Sequence, residues 1–151
     1  MDIKRNRCIW VKLNDPIYVR YHDEEWGQPL HDDHALYELF ILETFQAGLS
    51  WATILHKREN FRRAYEGFIP ERVAAFDAAK VEELMQDTGI IRNRRKIEAS
   101  IVNSRIFLEI VKEYGSFDRY IWGFTDGKPV RESCEQRTTS PLSDKISEDL
   151  K

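Results

Sequence analysis

Hydrophobic residues recur along this chain at helical spacing nearly from end to end. Asp32 and Asp33 stand where an N-cap belongs, ahead of a face carrying Leu36, Leu39, Phe40, Glu43 and Ala47. Gly48 ends that helix, and Ser50 opens a second one with Trp51, Ile54, Leu55, Phe61 and Tyr65. Gly67 and Pro70 punctuate the chain before a short helix through Val73, Ala74 and Phe76. Asp77 caps the stretch from Ala78 to Met85, whose inward positions are Val81, Leu84 and Met85, and a tight turn follows at Asp87-Thr88-Gly89. A long helix is predicted from Arg94 to Tyr114, with Ile97, Ile101, Ile106, Leu108 and Ile110 as core. Ser116 starts a short helix holding Phe117, Tyr120, Ile121, Trp122 and Phe124, and Ser143 is placed to cap a last one. No stretch shows the period of two that a half-buried strand needs. The predicted fold class is all-α, one compact helical domain over residues 1–151.

Composition narrows this picture. With 151 residues, 42% hydrophobic and 32% charged, the chain can bury a real core and has a globular balance. No apolar run approaches the roughly 20 residues that span a bilayer. The start, Met1-Asp2-Ile3-Lys4-Arg5, leads into no apolar stretch of the kind that marks a signal peptide. Two cysteines, Cys8 and Cys134, are too few for a disulfide scaffold and suit a reducing compartment, so a cytoplasmic location is expected. The formal net charge of -3 lends nothing to nucleic-acid binding, so any footprint for a polyanion has to be local. The least regular segment runs from Thr125 to Pro141, rich in turn formers and polar residues.

One local footprint is visible. The turn at Gly89 joins two helices, and the second opens with Arg92, Arg94, Arg95 and Lys96. A helix N-terminus already presents free N–H groups and partial positive charge to a phosphate, and mobile cations beside it would grip a DNA backbone without reading sequence. The plainer alternative is an ordinary αα-turn with a solvated charged face. Cations at an N-terminus oppose the macrodipole, a broken local rule that hints at function.

Three further groups of residues bear on chemistry. Glu43 falls on an apolar helical stripe, where a carboxylate is costly unless paired or required, and the alternative is a marginal Glu43 that meets one of the many arginines. The aromatics Trp10, Tyr18, Tyr21, Trp26 and Trp51 are generous for this length. Most aromatics fill cores, but several of these fall in the polar stretch from Asp15 to Gln28. An aromatic cleft with one carboxylate suits a flat, cationic, hydrogen-bonding ligand such as an alkylated purine. Cys8 and His22 are only half of a tetrahedral zinc set, and His31, His34, His56 and Cys134 fall at no zinc spacing.

These residues lie within motifs that resemble DNA-3-methyladenine glycosylase I across essentially the whole chain. They are Cys8 with Trp10, Asp15-Pro16 with Tyr18, and Tyr21-His22-Asp23-Glu24-Glu25-Trp26-Gly27. They continue with Leu42-Glu43, Gln46-Ala47-Gly48-Leu49-Ser50-Trp51, Lys57-Arg58-Glu59-Asn60, and Gly89-Ile90-Ile91-Arg92 with Lys96-Ile97. The resemblance implies a fold akin to the helix-hairpin-helix glycosylases, with the Gly89 turn as hairpin and without the Asp that usually follows it. It implies a base pocket of Glu43, Tyr21 and Trp51, with Trp26 and Trp10 shaping the wall, and a Gly48-Leu49 wedge in the base stack. It implies a structural zinc held by Cys8, His22 and two more ligands on a helical segment beyond Lys151, so that either the domain is C-terminally incomplete or this member lacks a complete zinc clamp.

The function so implied is excision of 3-methyladenine from alkylated double-stranded DNA after the base leaves the stack, by a monomer. No lysine follows the hairpin where a Schiff-base nucleophile would stand, since Lys96 belongs to the phosphate-facing cluster, so no strand cleavage is expected. Two alternatives differ in class: a damage-binding module without catalysis, and a helical protein-interaction domain whose aromatic stripe is only core.

Overall fold

The structure, a computed structural model, describes residues 6–131 and 138–151; Cys134 and part of the Thr125–Pro141 segment lie outside the described residues. Among the described residues there are eight helices and no strand: α1 (Pro16–Glu24), α2 (Asp33–Gln46), α3 (Trp51–Ala64), α4 (Pro70–Ala74), α5 (Ala78–Gln86), α6 (Arg94–Tyr114), α7 (Phe117–Gly123) and α8 (Pro141–Asp149). The all-α expectation is met. No helix among the described residues is long and apolar enough to cross a membrane.

Most ends follow from single capping side chains. Asp32, Ser50, Asp77 and Ser116 each accept from the backbone N–H three residues on, which satisfies a donor that the helix itself leaves free. Asp33 does a different job. Its carboxylate accepts from the N–H groups of Phe117 (3.0 Å) and Asp118 (2.8 Å), so it caps α7 across the molecule. At α8 the cap is Ser140. Ser143 completes a reciprocal capping box from inside the first turn, which corrects the expected start by three residues.

α1 was not predicted. None of its nine residues is fully buried, and the partly buried Tyr18, Val19 and Tyr21 make a face too short to stand out as a hydrophobic period. Its only local signal is Asp15 ahead of Pro16: the Asp15 side chain accepts from the Tyr18 N–H, and Pro16 sits at the first helical position.

The core gathers around α2, which packs against α3, α6 and α7. Its fully buried residues are Tyr37, Ile41, Leu42 and Phe45, a face turned away from the expected one of Leu36, Leu39, Phe40, Glu43 and Ala47. The reason is that α2 is apolar almost all round, so periodicity alone gives it no direction. Leu36 and Leu39 instead line an open apolar groove of about 380 Å³ with Leu30, Trp122 and Ile146. On α6 the buried residues are Ile97, Ser100, Ile101, Ser104 and Phe107, while Ile106 is exposed. The two serines are there for two phenols. Tyr37 Oη meets Ser104 Oγ at 2.5 Å and Tyr65 Oη meets Ser100 Oγ at 3.0 Å, so neither buried hydroxyl is left unpaired. Burial pushes the Tyr37 phenol up to about 12.

Candidate functional site

The site forms where α1, the end of α2 and the start of α3 meet. Two glycines shape its approaches. Gly48 lies between α2 and α3 with φ +79°, a left-handed conformation that favours glycine. The turn there is closed by Leu49 N donating to Gln46 O at 2.7 Å, and by Gln46 Nε2 donating to Leu49 O at 2.5 Å. Leu49 is thereby held out at the tip, exposed.

Along one side runs a chain of rings. Trp26 meets Trp10 edge-on at 5.3 Å, Trp10 meets Tyr18 at 5.4 Å, Tyr18 stacks on Tyr21 at 6.5 Å, and Tyr21 meets Trp51 at 5.6 Å. Trp10 and Trp26 are 37% and 48% exposed, far more than core aromatics would be. The ring contacts bring together the aromatics named from the sequence.

Glu43 opens onto this chain from the last turns of α2. It takes no part in any hydrogen bond or ion pair among the described residues. The carboxylate is exposed, yet the protein beside it desolvates it enough to raise its pKa above the ordinary carboxylate value. The Tyr21 phenol is also raised, first by burial and then by the charge of Glu43. The Trp51 indole N–H tempers that rise, but its Nε1 is shielded from solvent and makes no hydrogen bond of acceptable geometry among the described residues. A carboxylate without a counter-cation and an unspent donor thus both bear on the Tyr21 ring.

The expected arginine partner exists, but it belongs to a residue that sequence reading missed. Glu38, one turn and a half earlier on α2, is 5% exposed and is held by Arg58 Nε at 2.5 Å and by Arg62 at 2.8 and 3.0 Å. Burial would raise its pKa; the bonds from Arg62 and Arg58 outweigh that and hold it below the ordinary value. Arg58 also reaches Glu25 just past α1, at 2.8 and 3.0 Å. The signal in the sequence was the spacing of Arg58 and Arg62, four apart on one helical face.

The turn between α5 and α6 is fastened from α3. Lys57 Nζ donates to the carbonyls of Thr88 (3.3 Å) and Gly89 (3.4 Å), and Asn60 Nδ2 donates to Gly89 O at 3.1 Å. A Cβ on Gly89 would stand 3.0 Å from the Asn60 side chain and from Asp87 Oδ1, so the close approach accounts for the glycine. The four expected cations divide. Arg92 and Arg95 are exposed and form no ion pair among the described residues. Arg94 pairs with Glu82 at 2.7 Å. Lys96 donates to the carbonyls of Phe45 (2.8 Å) and Ala47 (2.5 Å) at the end of α2, so its ammonium is committed to holding the Gly48 turn.

Cys8 and His22 lie together: the Cys8 N–H donates to His22 Nε2 at 3.3 Å, and His22 Nδ1 meets Asp23 at 2.9 Å. A cysteine whose backbone meets an imidazole oriented by a carboxylate brings together two residue types that ligate zinc. Two donors are half a tetrahedral set, and no group of three or more His, Cys, Asp or Glu converges among the described residues, so these alone do not hold an ion.

A family model described as methyladenine glycosylase matches residues 10–151. DNA-3-methyladenine glycosylase 1 of Escherichia coli is 44% identical over 149 residues, covering 96% of this chain and 79% of the relative. DNA-3-methyladenine glycosylase of Haemophilus influenzae is 39% identical over 144 residues, covering 95% and 77%. Among solved structures, a crystal structure of 3-methyladenine DNA glycosylase I superposes with a TM-score of 0.89 at 44% identity, over 96% of this chain and 81% of that one. A Tyr-to-Phe variant of 3-methyladenine DNA glycosylase I in complex with 3-methyladenine superposes with a TM-score of 0.89 at 37% identity, over 97% and 80%.

Proposed function

Because this chain belongs to the methyladenine glycosylase family, we propose that it is a DNA-3-methyladenine glycosylase whose base cleft is Tyr21, Glu43 and Trp51. The observation that carries the assignment of the cleft is Glu43 itself, a carboxylate beside two aromatic rings with no cation of its own.

The chemistry follows from the substrate. In the strand, 3-methyladenine is a cationic base, so its bond to the sugar is already weak. Once out of the stack it offers its faces to Tyr21 and Trp51 and its edge to Glu43. The ionised carboxylate then gains the counter-cation it lacks in the free protein, which also lowers its pKa again. The N-glycosidic bond breaks with its electron pair passing to the base, which leaves neutral. Water forms the new bond to C1′ and gives its proton to solvent. Glu43 acts by recognition and electrostatics. Undamaged adenine carries no charge and gains little from the cleft. Lys96, the lysine nearest the hairpin on α6, is bonded to carbonyls rather than offered as a Schiff-base nucleophile, which supports a monofunctional enzyme that leaves the strand intact.

The Gly89 turn, with Arg92, Arg95 and Arg94 beside it, grips the backbone of duplex DNA as a helix-hairpin-helix element. Leu49 on its Gly48 turn fills the gap the base leaves. Trp10 and Trp26 back the cleft wall. Cys8 and His22 contribute two donors to a structural zinc, with Asp23 orienting the imidazole. The enzyme works as a monomer in the cytoplasm.

Purified protein incubated with methylated duplex DNA should release 3-methyladenine, measured by chromatography, and Glu43→Gln should not. Lesion-selective binding without release would make this a damage-binding module instead.

A further inference from the structure

We propose that Arg58 is a positioning residue for the base cleft, holding α1 at the separation from α2 and α3 that the cleft requires. The inference rests on the reading of Tyr21, Glu43 and Trp51 as that cleft.

α1 supplies one wall through Tyr21, yet none of its residues is fully buried; Tyr18, Val19 and Tyr21 are only partly covered, so packing alone holds it loosely. It is tied to α3 at both ends by polar side chains. At the start, His56 Nε2 meets Asp15 Oδ2 at 2.7 Å; just past the end, Arg58 holds Glu25. Glu25 is well placed to transmit that hold. Its own N–H and that of Trp26 both donate to the Tyr21 carbonyl at 2.9 Å, so fixing Glu25 fixes the backbone that carries the phenol.

The guanidinium that grips Glu25 is itself immobilised. Its Nε bonds the buried Glu38, and Arg58 is largely buried where Glu25 is half exposed. One planar fork therefore joins the three helices that carry Tyr21, Glu43 and Trp51. Arg62 also neutralises Glu38, so charge balance inside does not require the outward bond to Glu25. A partly exposed pair contributes little to stability, and an acidic residue at a helix C-terminus opposes the macrodipole. The arrangement makes sense as placement.

Arg58→Ala would strip a buried carboxylate of a partner and endanger folding, so the test is Glu25→Gln, which keeps shape and removes the charge. Arg58→Lys, which keeps a cation beside Glu38 but cannot fork between two carboxylates, serves as the second variant. Three quantities are read: the thermal midpoint, the indole N–H resonances by NMR, and the affinity for free 3-methyladenine. Both variants should stay folded, shift the Trp51 indole resonance, leave that of Trp122 (bonded to Leu30 O at 2.8 Å) in place, and weaken 3-methyladenine binding by about fivefold or more. Parent-like Trp51 resonance and affinity in Glu25→Gln would overturn the proposal while leaving the cleft intact. If the parent itself fails to bind 3-methyladenine, the cleft reading falls, and the Trp51 resonance alone still decides whether the clamp exists.

Discussion

Glu38 and Glu43 sit five residues apart on the same helix and have opposite fates. Glu38 is buried, doubly bonded to arginines, and held below the ordinary carboxylate pKa. Glu43 lies at the open end of α2, has no cation among the described residues, and is pushed above it. A charge whose partners are already inside the protein is explained by the fold. A charge that the fold leaves without a partner asks for one from outside, and at Glu43 the surrounding rings say what kind.

Removing a partner from the first carboxylate should have the largest effect. Arg58→Ala leaves Glu38 in low dielectric with one arginine, and the expected loss is about 3 kcal/mol of unfolding free energy, measured by urea titration. The parent should lose stability in acid for the same reason. The folded pKa of Glu38 is depressed, so its contribution is present above the unfolded value of 4.5 and disappears as pH falls below it. A urea midpoint that holds steady from pH 7 to 3 would contradict this account of Glu38.

The second carboxylate should respond in the reverse sense. The folded pKa of Glu43 is raised, so whatever stability its protonation contributes is present below 4.5 and lost as pH rises through the folded value. At pH 7 the ionised group is a cost to the fold. Glu43→Gln should therefore leave the unfolding midpoint unchanged or higher, while base release falls by about a hundredfold or more, roughly 2.7 kcal/mol of barrier. Loss of stability alongside loss of activity would mean that Glu43 is structural after all.

Why the sequence distinguished these two carboxylates poorly is a matter of direction. Helix existence was legible because caps are local: Asp32, Ser50, Asp77 and Ser116 announce their helices within one turn. Which way α2 faces was not, because both of its sides are apolar and only packing against α3, α6 and α7 selects the Tyr37–Ile41–Phe45 face. Glu43 was singled out for a burial it does not have, and Glu38, which has it, was passed over. α1 was missed for another reason: over nine residues its partly buried Tyr18, Val19 and Tyr21 are too few to read as a helical period. The Gly89 turn was legible as a break between two helical periods, and the aromatics by their density in a polar stretch. The assignment of Tyr21, Trp51 and Glu43 to one pocket came instead from motif resemblance, which carries three-dimensional information that periodicity does not.

Lys96 extends the contrast to the cations. Predicted to face phosphate, it instead donates to two carbonyls at the end of α2. Lys96→Met should cost about 1 kcal/mol of stability through the lost charge-assisted bonds. It should also slow base release by loosening the Gly48–Leu49 turn. A stable variant with reduced DNA affinity alone would restore Lys96 to the phosphate-facing group.

The smallest effects, and the sharpest use of the comparison, are at the hairpin. Arg92 and Arg95 resemble Glu43 in being charges with no ion-pair partner among the described residues, while Arg94 resembles Glu38 in having one, though at the surface. If unpartnered charge marks the surface that meets DNA, Arg92→Ala and Arg95→Ala should each weaken binding evenly across sequences. Each should also reduce the slope of log affinity against log salt by about one. Arg94→Ala should change that slope less, because part of its charge is already answered by Glu82. Equal slopes for all three would show that a surface pair is too weak to withhold an arginine from phosphate. The contrast drawn at α2 would then hold only where burial makes pairing binding on both partners.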